Sequence, residues 1–491
     1  MSVSFGFQHS YARELVGFYA RVQPAKAPAP QLLLLNTALA EQLGLDLRAL
    51  DEQALAKVFS GSVLPADAEP IALAYAGHQF GNFVPQLGDG RAILLGELVG
   101  RDGVRRDVQL KGAGQTPFSR RGDGRAALGP VLREYLISEA MHALGVPSTR
   151  ALAAVATGEP VYRETVLPGA VFTRIARSHI RVGTFQFFAR RADVQGLQKL
   201  ADYVIARHDP ELARAPNPYL ALLDAVMQRQ AALVARWMMV GFVHGVMNTD
   251  NMAISGETID FGPCAFLDVY DPRTVFSSID QGGRYAYKNQ APIAMWNLAR
   301  LAETLLPLIA EDGEQAVALA TEHLERFEAL FGEQYLSGLR AKLGLVRAEP
   351  GDEALAQELL EQMYLSRADF TTTFRLLCEV AAAEDAAGLR SRFSDPARFD
   401  AWCQRWRSRA ASEQAAPAEQ AQAMRRVNPA FIPRNHRVEH ALQQAVQHGD
   451  LSAFNRLAGI LARPYDDQPE HAEYAEPPPP DSGPYRTFCG T

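Results

Sequence analysis

The amino-acid sequence predicts a mixed α/β (α+β) protein, in which a β-rich N-terminal lobe precedes a large helical C-terminal lobe. Short apolar runs interrupted by glycine are frequent from about residue 71 to 189, a pattern typical of strands joined by turns. From about residue 190 onwards, longer segments of helical composition follow one another. Because the strands come first and the helices follow, the sequence favours two packed lobes over an α/β fold in which strands and helices alternate along the chain.

The N-terminal lobe contains one clear pair of strands. Residues 92–98 and 107–111 are predicted strands, and a turn at residues 101–104 joins them. Residues 129–144 have helical composition and end at a Gly-Val-Pro sequence. Residues 171–175 predict a further strand.

Long helical segments dominate the C-terminal lobe. The predicted helices are residues 218–239, 293–308, 313–331, 352–363 and 395–409. Residues 410–425 are rich in Ala, Gln and Glu and predict either an exposed helix or a linker. The predicted parts of the chain are an N-terminal extension (1–70), the N-lobe (71–189), the helical C-lobe (190–464) and an extended, acidic and proline-rich tail (465–491).

Composition and charge exclude several classes of protein. The 491 residues are 47% hydrophobic and 21% charged, which is ordinary for a globular protein. The net charge of -7 does not suggest nucleic acid as a partner, so phosphate binding would depend on a few locally placed Lys and Arg residues.

The sequence predicts a cytoplasmic protein with no membrane partner. The N-terminus has no basic region followed by an apolar run, and the most apolar stretch, residues 231–246, is broken by Arg236 and His244. The cysteines show no zinc-ligand spacing, which fits a reducing compartment. They are Cys264, Cys378, Cys403 and Cys489.

Residues 244–262 contain a motif that resembles the metal-binding segment of protein kinases. His244 and Asn251 are seven residues apart, and Asp260-Phe261-Gly262 follows after a short stretch. In a protein kinase, the His of a His-Arg-Asp triplet precedes an asparagine by the same spacing, and an Asp-Phe-Gly triplet follows. A carboxylate and a side-chain amide can hold Mg2+ (or Mn2+) while triphosphate oxygens and waters complete the octahedron. The sequence therefore predicts Asn251 and Asp260 as metal ligands within a bilobal protein-kinase-like fold.

A lysine and a glutamate upstream extend the pattern. Lys111 ends the sequence Val108-Gln-Leu-Lys, which resembles the kinase strand whose lysine reaches the nucleotide phosphates. Glu134 lies in the predicted helix where a kinase places the partner of that lysine. Either residue alone is more simply explained as a surface charge, but their order along the chain predicts an active site.

Two features differ from a kinase. Val246 occupies the position of the aspartate that accepts the proton of the substrate hydroxyl, and Asp250 is the only carboxylate in this loop that could replace it. The phosphate loop, residues 87–91, has the sequence Leu-Gly-Asp-Gly-Arg in place of three spaced glycines. Further arginines could bind phosphate through two N–H groups at once. They are Arg120, Arg121, Arg125, Arg174 and Arg181. For Arg120 and Arg121, a solvent-exposed charge without a binding role is the favoured interpretation.

Several longer strings resemble the selenoprotein O family of kinase-like proteins, and the resemblance covers nearly the whole chain. The strings lie at residues 75–81, 86–92, 109–120, 122–126, 181–186, 245–252 and 260–264. The resemblance implies an adenylyltransferase that binds ATP in an inverted orientation and transfers AMP to Ser, Thr or Tyr hydroxyls of other proteins, with pyrophosphate as the leaving group. Some members of the family use UTP and transfer UMP.

The resemblance also implies a role for individual residues. Asp250 matches the proton acceptor, Asn251 and Asp260 match the metal ligands, and Glu134 matches the partner of Lys111. The matching nucleotide contacts are Gly88, Gly90, Arg91, Lys111, Asp123, Gly124, Arg174, Arg181 and Asp260.

A redox link is a further expectation. Cys489 matches the selenocysteine near the chain end of some members, and Cys264 lies where a kinase activation loop begins. A disulfide between Cys264 and Cys489 would tether the tail across the active-site loop and make activity redox-dependent. Two unpaired thiols are the alternative.

The sequence is also compatible with two other functions. One is a protein or small-molecule kinase that moves the γ-phosphate, with Asp250 as a displaced base. The other is a pseudokinase scaffold that binds nucleotide without catalysis. Val246 argues against the first, and the intact set of Lys111, Asn251 and Asp260 argues against the second.

Overall fold

An antiparallel sheet and a helical body make up the protein, whose structure is a computed structural model that describes residues 3–383 and 385–488. The strands are β1 (Tyr19–Arg21), β2 (Gln31–Leu35), β3 (Ile71–Leu73), β4 (Gly77–Gln79), β5 (Asn82–Val84), β6 (Ala92–Val99), β7 (Arg105–Lys111), β8 (Ala126–Ala127), β9 (Arg150–Tyr162), β10 (Val166–Ala176), β11 (Phe242–Val243) and β12 (Ala265–Phe266). The predicted α+β class is confirmed.

Most of the helices follow the sheet in the chain. They are α1 (Ser10–Glu14), α2 (Thr37–Gln42), α3 (Glu52–Phe59), α4 (Leu128–Ala143), α5 (Val182–Ala189), α6 (Val194–His208), α7 (Pro218–Met239), α8 (Gln290–Ile309), α9 (Gly313–Glu325), α10 (Phe327–Lys342), α11 (Asp352–Ser366), α12 (Phe370–Ala382), α13 (Ala387–Arg390), α14 (Pro396–Ala411), α15 (Pro417–Arg425), α16 (Asn435–His448) and α17 (Ser452–Leu461). Within the described ranges, no helix combines the length and the apolar character that crossing a membrane requires.

The main sheet has the strand order β1-β3-β6-β7-β10-β9-β2, with β8 paired to β10. The predicted hairpin is confirmed, because β6 and β7 pair with Ala92 opposite Lys111. Strands β1 and β2 come from before residue 70 and pair with β3 and β9, so this stretch of the chain contributes both edges of the sheet. The predicted division of the chain into four parts stays a prediction.

Alternation along the strands determines which side chains face the helical body. Ile93 and Leu110 lie in an apolar cluster that covers one face of the sheet together with α2 and α3. Leu94 and Phe172 lie in the larger cluster on the other face, which continues through α4 into the helical body. Because strand side chains alternate between faces, Lys111 lies on the face opposite to Leu110, towards α4.

One long predicted helix is divided in two. The sequence predicts a single helix over residues 313–331, and this is wrong, since α9 ends at Glu325 and α10 begins at Phe327. The backbone N–H of Arg326 donates to the carbonyl of His323, three residues back, which tightens the turn. The side chains of His323 and Arg326 both turn to Asp224 on α7. The other predicted helices are confirmed, and α7 agrees with its predicted limits.

A buried ionic network fastens α6 to the sheet. Asp107 on β7 accepts hydrogen bonds from Arg207 Nη2 on α6 at 2.6 Å and from the backbone N–H of His179 at 2.9 Å. Arg207 also lies 3.7 Å from Glu97 on β6, which in turn accepts from Ser10 and the backbone of Tyr11 on α1. The network therefore joins the sheet, α1 and the helical body.

Replacing Asp107 by alanine should destabilise the protein strongly. The guanidinium of Arg207 would remain buried without its closest carboxylate, and such a loss lowers the free energy of unfolding by about 3–5 kcal/mol. Urea unfolding followed by circular dichroism measures this loss. As a control, Asp46→Ala removes the exposed pair with Arg48, and this change should leave the free energy of unfolding nearly unchanged. Equal losses in the two variants would contradict a special role for the network.

Candidate active site

A cavity of about 1300 Å³ lies between the sheet and the helical body. Its walls come from the loops before β6 and after β7, from α4 and from the segment between β11 and β12. The tail contributes Tyr485 to the wall as well. All the predicted catalytic, nucleotide-contacting and metal-ligating residues line this cavity; they are Gly88, Gly90, Arg91, Lys111, Asp123, Gly124, Glu134, Arg174, Arg181, Asp250, Asn251 and Asp260.

Asp260 is the centre of the charged groups in the cavity. Its Oδ1 accepts from Lys111 Nζ at 2.7 Å and from Arg174 Nη1 at 2.8 Å, and its Oδ2 accepts from Arg181 Nη1 at 2.9 Å. Burial alone would raise the pKa of Asp260, but these three cations outweigh it and hold the pKa well below the usual value. Asp260 also has a φ of +63°, a left-handed backbone conformation that non-glycine residues seldom adopt. Its carboxylate is therefore ionised and held among cations.

Glu134 on α4 is the second carboxylate of this cluster. Its Oε2 accepts from Lys111 Nζ at 2.6 Å, and its Oε1 accepts from Arg174 Nη1 at 3.2 Å. Helix α4 packs against β9 and β10, which brings Glu134 towards the face of the sheet that bears Lys111. The structure thus joins Lys111 and Glu134 in the ion pair that the sequence predicts.

Gln109 positions Arg174, and sequence reasoning did not identify this role. Gln109 Oε1 accepts from Arg174 Nη2 at 2.6 Å and from its Nε at 3.2 Å. In the pairing of β7 with β10, Gln109 lies opposite Arg174. The available signal was the spacing of two from Lys111, which places both side chains on one face of the strand.

Arg181 joins the loop that carries Asp250 to the loop of residues 87–91. Its Nη1 donates to the backbone carbonyl of Asp250 at 2.7 Å, and its guanidinium lies 4.6 Å from the centre of the Tyr75 ring. Its Nη2 is 3.9 Å from Asp89 Oδ1. In the sequence, Tyr75 is notable only as part of residues 75–81, which resemble the family, and Asp89 only as part of the loop of residues 87–91. Their contacts with Arg181 depend on tertiary packing that no local pattern shows.

Asp89 is a buried carboxylate within the glycine-containing loop. Burial raises the pKa of Asp89 to about 6, although Arg181 opposes this. Its Oδ2 accepts from the backbone N–H of Leu73 and from Gln109 Nε2, whereas its Oδ1 has no hydrogen-bond partner among the described residues. The loop is therefore fixed to the sheet by the side chain at its centre.

Two of the glycines predicted to contact the nucleotide, Gly88 and Gly124, have no room for a side chain. A Cβ added to Gly88, which has a φ of +81°, would lie 2.4 Å from the ring of Phe118. A Cβ added to Gly124 would lie 2.1 Å from the carbonyl oxygen of Gly114. The two glycine-containing loops thus pack against residues 114–119, where Thr116 Oγ1 donates to the carbonyl of Asp89 at 2.6 Å. Close packing against these neighbours and a positive φ at both positions together explain the glycines.

Asp123 and Arg91 lie on the more exposed wall of the cavity. The carboxylate of Asp123 accepts from Arg163 Nη1 at 2.7 Å, which lowers its pKa. Asp123 therefore positions an arginine beside the cavity. Arg91 is partly exposed and lines the cavity next to Gly90.

The loop before Asp260 carries Asp250 and Asn251. Asp250 Oδ2 accepts from Gln79 Nε2 at 3.4 Å, and its Oδ1 has no hydrogen-bond partner among the described residues. Burial raises the pKa of Asp250 to about 6. His244 is also buried and its Nε2 bonds the carbonyl of Ile259 at 2.9 Å, so it supports the backbone directly before Asp260. Asp250 is therefore the group in this loop that could accept a proton near neutral pH.

Asn251 and Asp260 fit a metal site that is completed by a nucleotide. Asn251 Nδ2 donates to the carbonyl of Val246 at 3.0 Å, which leaves its carbonyl oxygen as the available ligand atom. The ionised carboxylate of Asp260 supplies a second hard oxygen. Within the described part of the chain, no cluster of three or more His, Cys, Asp or Glu side chains could hold a metal without further ligands.

The predicted disulfide involves Cys489, which lies outside the described residues. Cys264 is buried and its Sγ donates to the carbonyl of Phe261 at 3.2 Å, while burial raises the pKa of its thiol to about 12. Thr487, two residues before Cys489, donates from its Oγ1 to the carbonyl of Pro263 at 2.7 Å. The tail thus reaches the residue next to Cys264.

Comparisons with known proteins give one consistent result. The family model described as protein adenylyltransferase SelO matches residues 2–462 of the chain. The chain is 62% identical to the protein nucleotidyltransferase YdiU of a strain of Methylorubrum extorquens, over the whole of both chains. It is 60% identical to the protein of that name from a Bradyrhizobium species, again over the whole of both chains. It is 61% identical to that of Rhizobium meliloti, over 99% of this chain and 100% of the relative.

Replacing Asp250 by asparagine should stabilise the protein at alkaline pH. The pKa of this carboxyl rises from 3.8 to about 6 on folding, so its ionisation opposes folding increasingly as the pH rises through that window. The variant should gain up to about 3 kcal/mol at about pH 8 and less at about pH 5. Thermal unfolding at both pH values measures the difference.

Asp123→Asn is the matched control for that experiment. The pKa of Asp123 is lowered by its hydrogen bond to Arg163, so the ionised form favours folding and this variant should gain nothing at alkaline pH. A gain for Asp250→Asn that is independent of pH would show that ionisation is not its cause.

Proposed function

Because the chain belongs to the protein adenylyltransferase SelO family, we propose that it transfers AMP from ATP to Ser, Thr or Tyr hydroxyls of protein substrates and releases pyrophosphate. Such a reaction makes it a nucleotidyltransferase of the EC 2.7.7 class. The observation that carries the proposal is the cluster of Lys111, Arg174 and Arg181 around Asp260, in the cavity that Asn251 and Asp250 also line. UTP is the alternative donor, in which case UMP is transferred.

The buried cations suit the pyrophosphate part of the nucleotide. Arg174 and Arg181 are almost completely buried, and Arg binds phosphate oxygens through two N–H groups at once. If the β- and γ-phosphates contact these groups, the α-phosphate is placed towards Asn251 and Asp250. Negative charge that develops on the leaving pyrophosphate would then be stabilised by donors that are already in place.

When nucleotide and metal bind, Asp260 would exchange its contacts with cationic side chains for a contact with the metal ion. In the structure its carboxylate neutralises three cations, but as a metal ligand with Asn251 it would leave Lys111, Arg174 and Arg181 to bind phosphate oxygens. Mg2+ or Mn2+, when bound there, would neutralise charge on the phosphates. Glu134 would stay with Lys111 and keep its amine directed into the cavity.

Asp250 is proposed as the proton acceptor. Its Oδ1 is free among the described residues, and Val246 offers no carboxylate at the position that a kinase would use. As the substrate oxygen forms its bond to the α-phosphorus, Asp250 takes the hydroxyl proton, and the bond from the α-phosphorus to pyrophosphate breaks. The products are the AMP-modified protein and pyrophosphate.

The disulfide between Cys264 and Cys489 stays a proposal. It is supported by Thr487, whose backbone N–H donates to Phe276 and whose carbonyl accepts from Ser278, so that the tail runs beside the segment after Asp260. Its formation needs an external disulfide as the oxidant: the thiolate of Cys489 would attack that disulfide and release one thiol, and Cys264, once deprotonated, would displace the second thiol. Burial raises the pKa of the Cys264 thiol, so Cys489 would react first.

Labelled ATP tests the transferred group. Label from the α-phosphate should appear on protein, and label from the γ-phosphate should not. Asp260→Ala should lower the transfer by about 100-fold or more, because it removes both a metal ligand and the centre of the cation cluster. Asp271→Ala, which removes an exposed carboxylate paired with Arg273, is the control and should retain transfer. Label from the γ-phosphate alone would show a kinase, and label from neither would favour a nucleotide-binding scaffold.

The pH dependence of transfer tests the role of Asp250. The rate should rise with pH through about 6, because the carboxylate accepts a proton only when ionised and its pKa is raised to about that value. Asp250→Asn should remove this rise and lower the rate by roughly 100-fold or more. Asp89 has a pKa of about 6 as well, so Asp89→Asn is the matched control and should keep the rise. A rise that persists in Asp250→Asn would assign the proton acceptor elsewhere.

A further inference from the structure

Two arginines and a tryptophan form a cationic surface beside the loop that carries Asp250. The guanidinium carbons of Arg284 and Arg300 lie 4.8 and 4.9 Å from the centre of the Trp296 ring. The ring of His78 on β4 meets the same indole edge-on at 5.2 Å, and Phe83 on β5 lies 4.9 Å from His78. We call these five residues the arginine–tryptophan patch.

Arg284 has no acidic partner within the described residues. No carboxylate lies within 4.0 Å of its guanidinium, and its Nε is buried without a hydrogen-bond partner. The nearby carboxylate of Asp280 is already used, because it accepts from the backbone N–H groups of Arg284 and Tyr285 at 2.9 and 2.8 Å. A partly buried arginine that lies beside aromatic rings and has no carboxylate partner among the described residues is suited to an incoming anion.

The remaining charges of the patch leave it cationic. Arg300 pairs with Glu303 at 2.6 Å, but the side chain of Glu303 is 54% exposed, so this pair is weak. Burial lowers the pKa of His78, and the positive charges of Arg300 and Arg284 lower it further, while its hydrogen bond to Gln186 opposes the shift. Within the patch, Arg284 is therefore the cation that no carboxylate among the described residues pairs.

The hairpin of β4 and β5 connects this patch to Asp250. A Cβ added to Gly77 would lie 2.5 Å from Asp250 Oδ1, and a Cβ added to Gly81 would lie 3.8 Å from the guanidinium carbon of Arg284. The chain turns at Phe80 and Gly81, so Gly77 and Gly81 are closer together than the roughly 13 Å that four extended residues would span. An extended substrate peptide would cover this separation with three or four residues.

The hairpin is fixed to both sites. The backbone N–H of His78 donates to Thr249 Oγ1 at 2.7 Å, and that of Phe80 donates to Asn248 Oδ1 at 3.0 Å. Asn248 Oδ1 also accepts from the hydroxyl of Tyr285 at 2.6 Å, next to Arg284 in the chain. The separation of the patch from Asp250 is therefore set by a hydrogen-bonded scaffold.

We propose that the arginine–tryptophan patch binds an Asp or Glu side chain of the protein substrate, three or four residues from the hydroxyl that receives AMP. The inference rests on the proposed function, since it assigns the substrate of that same site. A carboxylate would receive two parallel hydrogen bonds from Arg284, and Trp296 would hold that guanidinium in place. The enzyme would thus select acceptor hydroxyls in acidic segments.

Transfer to peptides tests the selection. The full chain is supplied with α-labelled ATP and with alanine-based peptides that contain one serine and either one Glu or one Lys at each position up to five residues away. Glu at three or four residues should raise kcat/KM about tenfold over Lys, and high salt should weaken the preference. Arg284→Glu should reverse the preference, whereas Lys288→Glu, an equal change of charge at an exposed residue nearby, should keep it. Nucleotide affinity, measured for each variant, checks that the cavity is intact.

Tryptophan fluorescence supplies a readout that does not depend on transfer. Trp296 is partly exposed, whereas Trp237, Trp402 and Trp406 are buried, so a peptide at the patch should shift the emission of Trp296. The Glu peptide should cause this shift without nucleotide, and Arg284→Glu should abolish it.

The two readouts separate the possible failures. Transfer that does not distinguish Glu from Lys, or a Glu preference that survives Arg284→Glu, overturns the inference and leaves AMP transfer standing. Absence of α-label on any peptide or protein contradicts the proposed function. In that case an Arg284-dependent fluorescence shift still supports acidic-peptide binding, and no shift overturns it.

Discussion

The contacts of Asp260 with Lys111, Arg174 and Arg181 are the interaction on which the rest of the site depends. The cations come from β7, from β10 and from the residue before α5, so one carboxylate joins β7 to the β10–α5 region, and both lie far from Asp260 in the sequence. A charge buried without a partner is strongly destabilising. Each of these elements can therefore occupy its place only when the others do, and the register of β7 with β10 becomes a requirement of the active site.

The site residues that could be predicted are those with a characteristic neighbour in the chain. Lys111, Asn251 and Asp260 stand within short motifs whose residue types follow from metal and phosphate chemistry, and the structure brings them together. The limits of helix α7 could be predicted because Asn217 accepts from the backbone of Leu220 at its N-terminus and a proline follows the cap.

What could not be predicted depends on contacts between distant segments. Strands β1 and β2 are short and take their place at the edges of the sheet from partners far along the chain. Gln109 resembles any other strand residue until its pairing opposite Arg174 is known. The break at Arg326 likewise depends on Asp224, which lies on another helix. Secondary-structure propensity depends on neighbouring residues in the chain, so it cannot predict contacts with distant segments.

The tail has a consequence for the synthesis of the protein. Residues 485–488 form part of the cavity wall, although the strands and loops that bear the charged residues are complete some two hundred residues earlier in the chain. A ribosome that has made the sheet, α4 and Asp260 has made every residue of the cation cluster, but not the wall that encloses it. The finished cavity therefore requires synthesis to have passed residue 488, and a shorter nascent chain would present the cluster through an open side.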